Sequence, residues 1–297
     1  MSLHEPVMTR EVLAFLQPEK GGLFIDCTVG MGGHALALLE AGATKVIGLD
    51  RDPAALRIAA ETLSRYRDRV ELVHSDYRAI ASVLEARGID RVDGTLTDMG
   101  ISSYQLEAEG RGFSFQRDDP LDMRMDTTTG ATAADLLRRA EEPEIADAIY
   151  QYGEERFSRR IARAIVTARG TAPLETTGQL AALVRRAVPR HGFSRIDPAT
   201  RTFQALRIWV NRELEGIDAF LKTVAQRLKT GARLVAITFH SLEDRIVKHT
   251  LRALAPRDGG PLRILTKKPI TPQPDELERN PRARSAKLRA AEGVGAE

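Results

Sequence analysis

Four short apolar runs, each closing on an aspartate, constrain this chain more than any other feature. Phe24-Ile25 ends at Asp26 and Lys45 to Leu49 ends at Asp50. Val70 to His74 leads into Ser75-Asp76-Tyr77, and Asp93 to Thr97 ends at Asp98. Each run has the length of a buried strand. The intervals read as helices over Ala35 to Ala41, from Asp52-Pro53 to about Arg67, and over Ile80 to Ala86. Strands alternating with helices at this pitch predict right-handed crossovers and a parallel sheet, whose binding crevice lies outside the carboxyl ends of the strands. Asp26, Asp50, the Asp76-Tyr77 pair and Asp98 all fall on that edge, so one crevice can collect them.

Between the first run and its helix lies Cys27-Thr28-Val29-Gly30-Met31-Gly32-Gly33-His34. Glycines here permit a tight turn and close approach of a ligand, while the helix start offers free amide donors. Gly30, Gly32 and Ala35 satisfy the loose G-x-G-x-x-G/A pattern, which does not choose among nucleotide-like cofactors and also fits a plain structural turn. Asp50 stands 20 residues beyond Gly30, the spacing at which an acid accepts both hydroxyls of a ribose. An exposed acid at a strand end is the plainer alternative. The helix start at Asp52-Pro53, in the expected register, favours the ribose ligand.

Composition sets the remaining bounds. The chain has 297 residues, 42% hydrophobic and 29% charged, enough for one large domain or two modest ones. No apolar run approaches the roughly 20 residues of a membrane span, and the first ten residues are unlike a signal peptide, so a cytoplasmic protein is expected. The single cysteine, Cys27, leaves no intrachain disulfide and no cysteine-cluster zinc site; it reads as a small buried hydrophobe. No metal is expected. The net charge of +3 is too mild to identify a partner by itself.

After Asp98 the pattern changes. Ile101 to Thr129 shows no strand or helix period and reads as an ordered loop. Helices follow over Ala131 to Arg139, Pro143 to Gln151, Phe157 to Ala168, Thr177 to Val188 and Ala199 to Leu214. This suggests an all-helical subdomain inserted into an α/β domain, with boundaries at residues 1–108, 109–207 and 208–297. Arg156, Arg159, Arg160 and Arg163, then Arg185, Arg186, Arg190, His191, Arg195 and Arg201, make the insertion arginine-rich. A phosphate-binding face and an ordinary solvated face stand about equal. The α/β pattern resumes with a helix from Gly216 to Leu228, Gly231 as its stop, and a strand from Arg233 to Phe239. A helix to Leu254, a strand near Leu262 to Leu265 and a basic tail from Arg279 to Arg289 complete the chain. At the tip of the Arg233 strand, His240, Ser241 and Glu243 are candidates for contact with substrate. Helix capping by Ser241 with Asp244 is the plainer reading.

Several stretches are familiar together: Thr28 to His34, Thr97-Asp98-Met99-Gly100-Ile101-Ser102-Ser103, Gly112-Phe113-Ser114-Phe115 and Pro120 to Asp126. To these belong Phe203 to Ile208, Phe239 to Arg245 and Asn280 to Arg289. In this order the chain closely resembles the RsmH (MraW) family of bacterial S-adenosylmethionine-dependent methyltransferases, from His4 to Arg289. These act on a cytosine N4 in the decoding region of 16S rRNA. The resemblance implies a class I (Rossmann-like) methyltransferase domain with a helical insertion that binds RNA. It implies S-adenosyl-L-methionine as cofactor and 16S rRNA within the small ribosomal subunit as partner, with no membrane and a homodimer left open.

Carried over, the resemblance places Gly32, Gly33, His34, Asp50, Tyr77, Asp98 and Gln105 in the cofactor site, beside Asp26 and Gly30 from the loop reading. Gln105 has no support from spacing. For chemistry, an exocyclic amine needs acceptors that hold its hydrogens and then take a proton. Asp98 is the best-placed candidate, with His240, Ser241 and Glu243 beside it. Amino-methyltransferases usually continue Asp/Asn-Pro-Pro-aromatic at this point. Here Met99-Gly100-Ile101 stands instead, so base stacking must come from Phe113, Phe115 or Tyr104. Two other classes compete: a nicotinamide-dependent dehydrogenase, and a non-catalytic RNA-binding protein that senses S-adenosylmethionine.

Overall fold

The computed structural model describes residues 6–189, 197–256 and 259–294. His4, Arg190, His191 and Arg195 lie outside the described residues. The chain divides into two compact units, one from its start to Gly100 and again from Leu214 onward, the other Ile101–Glu213.

The first unit opens with α1 (Thr9–Leu16), β1 (Leu23–Asp26), α2 (Gly33–Glu40), β2 (Lys45–Asp50), α3 (Pro53–Thr62), β3 (Val70–His74), α4 (Ile80–Glu85) and β4 (Val92–Asp98). Strand bounds follow the apolar runs closely because each run must be apolar on both faces. Phe24 and Val46 pack on one side of the sheet, Ile25 and Ile47 on the other. The helix after Asp50 ends at Thr62 and passes into a 3-10 turn over Ser64–Tyr66, short of the expected Arg67. Asp52 caps it by accepting the Ala54 N–H at 3.0 Å.

The second unit holds α5 (Ser103–Glu107), α6 (Ala133–Arg139), α7 (Glu142–Gly153), α8 (Ser158–Arg169), α9 (Thr177–Ala187) and α10 (Ala199–Asn211). Ile145, Ile149, Ile161, Ile165, Leu180, Val184 and Leu206 are fully buried within it. Its bounds fall outside the expected 109–207 because Ile101 and Leu106 at one end, and Trp209 and Val210 at the other, pack on this core. The supposed loop after Asp98 contains α5, a five-residue helix too short to show a period.

The chain returns to the first unit with α11 (Ile217–Arg227), β5 (Leu228–Thr238), α12 (Ser241–Leu254), β6 (Leu262–Ile264), α13 (Pro274–Arg279) and β7 (Lys287–Gly293). The expected helix stop at Gly231 is wrong. The helix ends at Arg227, and Gly231 lies inside β5 with φ +79°. The register passes from Val92↔Leu228 to Gly94↔Arg233, so Asp93 alone faces a looped-out stretch that glycine accommodates.

A second correction concerns the basic tail, which runs from the end of α13 through a 3-10 turn over Pro281–Ser285 into a strand, β7. β7 pairs antiparallel with both β5 and β6 inside the sheet. Leu288, Ala290 and Ala291 are fully buried, and the Arg289 guanidinium is neutralised by Asp244, Nε to Oδ1 at 2.6 Å. The sheet order is β3-β2-β1-β4-β5-β7-β6, parallel through β5 and antiparallel beyond it. The expected parallel sheet is therefore mixed. The strand order reverses between β1 and β4, which makes their carboxyl ends the topological switch point of the sheet.

Candidate active site

At that switch point the chain leaves β1 at Asp26 and β4 at Asp98. The Thr28 hydroxyl accepts the Asp98 N–H at 2.6 Å, tying the two strand ends together. Asp26 is completely buried, and its Oδ1 accepts the Thr28 N–H at 3.2 Å. Burial raises the Asp26 pKa to about 7, opposed by His34 and the Thr28 N–H and reinforced by Asp98 and Asp50. His34, in the first turn of α2, sets its Nε2 3.6 Å from Asp98 Oδ2. Burial disfavours its charge, yet the Asp98 and Asp26 carboxylates outweigh this, and its pKa lies above the ordinary value. Asp26 Oδ2, both His34 ring nitrogens and Asp98 Oδ1 are buried without a hydrogen-bond partner among the described residues. Buried polar atoms are costly unless satisfied. The cluster thus fits a ligand that brings both donors and acceptors, as the α-amino acid end of a cofactor does.

The glycines of the loop have separate tasks. Gly30 turns at φ +51°, with no atom but the Thr28 carbonyl oxygen, 3.9 Å away, near the position of a Cβ. A Cβ on Gly32, at φ +89°, would meet Leu63 at 3.1 Å, and one on Gly33 would meet Pro6 at 3.1 Å. Gly32 and Gly33 thus lack side chains so that α3 and the N-terminal segment can pack closely.

Asp50 at the tip of β2 accepts the Gly30 N–H on Oδ2 and the Asp52 N–H on Oδ1, both at 2.8 Å. Burial pushes its pKa up. Each oxygen keeps a second lone pair, so a diol can still be accepted. Asp76, beyond β3, is engaged otherwise: the Arg78 guanidinium grips both its oxygens at 2.8 and 2.6 Å, and Arg51 approaches at 3.5 Å. Half-buried Tyr77 packs edge-to-face on Phe220, centroids 4.7 Å apart. Burial raises the pKa of its phenol. Cys27 is buried, as expected of a small hydrophobe.

At the tip of β5, capping uses His240 and Glu243 rather than Ser241 and Asp244. Glu243 Oε2 accepts the N–H groups of Phe239 at 2.9 Å and His240 at 3.4 Å. The His240 Nδ1 accepts the Glu243 N–H at 3.4 Å. His240 Nε2 lies 3.1 Å from Glu243 Oε1. Glu243 is nearly inaccessible and holds the strand tip; Ser241 is exposed, and Asp244 serves Arg289.

Gln105 sits in the helical unit, where its Oε1 accepts the Ser102 N–H at 3.1 Å in a capping box. Two of the three suggested stacking rings are occupied, and Tyr104 is partly exposed on α5. Phe113 is buried under Arg111, and Phe115 packs edge-on against Phe203 at 4.8 Å with the Arg185 guanidinium 5.5 Å from its ring centre. Residue spacing did not reveal two contributors: Thr28, which fixes Asp98, and Phe239, whose Cδ2 lies 3.4 Å from where a Gly100 Cβ would stand. A hydroxyl just past the first strand and an aromatic before His240 were the available signals.

A family model described as the MraW methylase family matches residues 1–294. The chain is similar to three proteins named Ribosomal RNA small subunit methyltransferase H. That of Pelobacter propionicus is 49% identical, covering 97% of this chain and 98% of the relative. That of Sorangium cellulosum is 51% identical over 98% and 91%, and that of Thermotoga neapolitana 50% over 98% and 96%.

Proposed function

The chain belongs to the MraW methylase family, and from that premise we propose that it methylates the exocyclic N4 of a cytosine in 16S rRNA of the small ribosomal subunit, using S-adenosylmethionine, in the cytoplasm. One observation supports this site above others: the buried Asp26, His34 and Asp98 atoms without partners, gathered at the switch point of the sheet. S-adenosylmethionine, when bound, supplies an electrophilic methyl group on a positively charged sulfur.

Asp26 offers Oδ2 to an ammonium group, and His34 offers ring nitrogens to a carboxylate. Asp50 offers its remaining lone pairs to ribose hydroxyls, and Tyr77 flanks an adenine ring. Asp98 Oδ1, which no group of the described residues engages, accepts hydrogen from the cytosine amine and takes the proton as the N–C bond forms. Thr28 fixes the carboxylate's backbone, so little ordering remains for the reactive step. His240 lies beside this edge as a substrate contact, and Glu243 acts through it as a positioning residue. The target cytosine must be unstacked to reach the crevice.

The glycine pattern lends the dehydrogenase alternative no support, since Gly32 and Gly33 serve packing against Leu63 and Pro6. The test is to incubate the protein with small ribosomal subunits and labelled S-adenosylmethionine and identify the modified nucleoside by mass. N4-methylcytidine is expected. Label in another nucleoside, or none, overturns the assignment.

A further inference from the structure

The stretch Arg263 to Arg289 holds eight Lys or Arg against three Asp or Glu, whereas the whole chain is nearly balanced at 44 to 41. Two of its three acids are spent locally: Glu276 is buried and accepts the Met8 N–H at 2.7 Å, and Asp275 pairs with Arg10; Glu278 is exposed. Arg289 and Lys287 face Asp244. Lys267, Lys268 and Arg284 are different. They are exposed and form no ion pair among the described residues.

Their placement follows from register. Beyond β6 the chain continues along the outer side of β7, with Thr266 bonded to Ala290 and Ile270 bridged to Leu288. Two residues of β7 are thus spanned by four of the outer segment, so Lys267-Lys268-Pro269 is looped out of the sheet edge. β7 in turn begins beside the end of β5, Lys287 opposite Thr238, two residues before His240. Two strand spacings, roughly 10 Å, therefore separate the lysine bulge from the tip of β5. Arg284 ends on the same side, in the 3-10 turn that feeds β7.

We propose that Lys267, Lys268 and Arg284 form a phosphate-binding edge on the sheet unit that grips the RNA backbone flanking the target base. The proposal rests on the rRNA reading above. Long, exposed cations on a bulge and a turn, without ion pairs among the described residues, suit a polyanion: each phosphate neutralised releases a counterion, so affinity falls steeply with salt. A rigid edge beside the crevice would also fix the register of the strand without reading its sequence.

The test compares wild type with the triple variant Lys267→Gln/Lys268→Gln/Arg284→Gln, measuring binding to small subunits and to deproteinised 16S rRNA across a salt series. S-adenosylhomocysteine affinity and the melting curve report that the variant is folded. Wild-type label transfer to subunits tests the underlying reading separately. The slope of log affinity against log salt should shrink by about 3, one per contact, for both RNA forms, with cofactor affinity unchanged. An unchanged slope overturns the proposal. A loss confined to intact subunits also overturns it, because the edge would then be contacting a protein.

Discussion

Both units of this molecule bury polar atoms outside hydrogen bonds, but they differ in where those atoms gather. At the carboxyl edge of the sheet, Asp26, His34 and Asp98 bury atoms that nothing in the described chain satisfies. In the helical unit Arg159, Arg160 and Arg163 of α8 stand in solvent, half-buried Arg207 lies 2.9 Å from Glu213, and Arg111 donates to the Arg124 and Met125 carbonyls, with the Thr202 hydroxyl among its buried atoms outside hydrogen bonds. Unsatisfied burial is a cost that folding alone would remove, whereas solvated arginines cost little. On this basis we propose that the small-molecule chemistry belongs to the carboxyl edge of the sheet, where Asp26, His34 and Asp98 gather such atoms.

The largest effect that would sharpen this contrast is at Asp98. Asp98→Asn should lower single-turnover methyl transfer at saturating cofactor by roughly 10² to 10⁴, the usual range for a lost acid–base group. Rapid-quench label transfer measures this; a full rate would remove Asp98 from the chemistry. Next comes Arg289→Ala, which takes from Asp244 its closer cation, leaving Lys287 at 3.9 Å, and should cost about 3 kcal/mol in urea denaturation. An unchanged midpoint would return this stretch to the status of a tail.

A smaller effect concerns pH. Asp26 holds its proton up to about pH 7 when folded, whereas an unfolded aspartate releases it near 4. His34 likewise binds its proton more tightly when folded. In both cases the folded state binds more protons, so stability of the ligand-free protein should fall as pH rises from about 4 to 7. Thermal unfolding across that range checks this, and Asp26→Asn should flatten the dependence. Smallest is Arg159→Ala on α8, an exposed position with no ion pair among the described residues, expected within about 0.5 kcal/mol of wild type. A larger loss there would break the contrast between the units.

Legibility in the sequence followed the same division. The first four strands were readable because each is a continuous apolar run ended by an acid, and long downstream signatures named the family. β7 was not readable, since Lys287, Arg289 and Glu292 interrupt its apolar residues and Ala290, Ala291 and Gly293 are poor strand formers. Its charges are cancelled by Asp244, Arg233 and Arg263, residues distant in the chain. Asp26 and Asp50 were found from strand ends alone. The capping pair of His240 and Glu243 was not, because a histidine is an unusual cap and Ser241 offered a more ordinary one. The packing roles of Gly32 and Gly33 depend on Leu63 and Pro6, and no local pattern encodes them.

The central claim, that the partnerless cluster at the switch point is a cofactor contact rather than tolerated strain, is tested most directly by NMR of the protein labelled with ¹⁵N at its six histidines. Titration with S-adenosylhomocysteine should move the His34 imidazole resonances, leaving His74, bonded to the Arg51 carbonyl, in place. His34 resonances unmoved at saturation would contradict it.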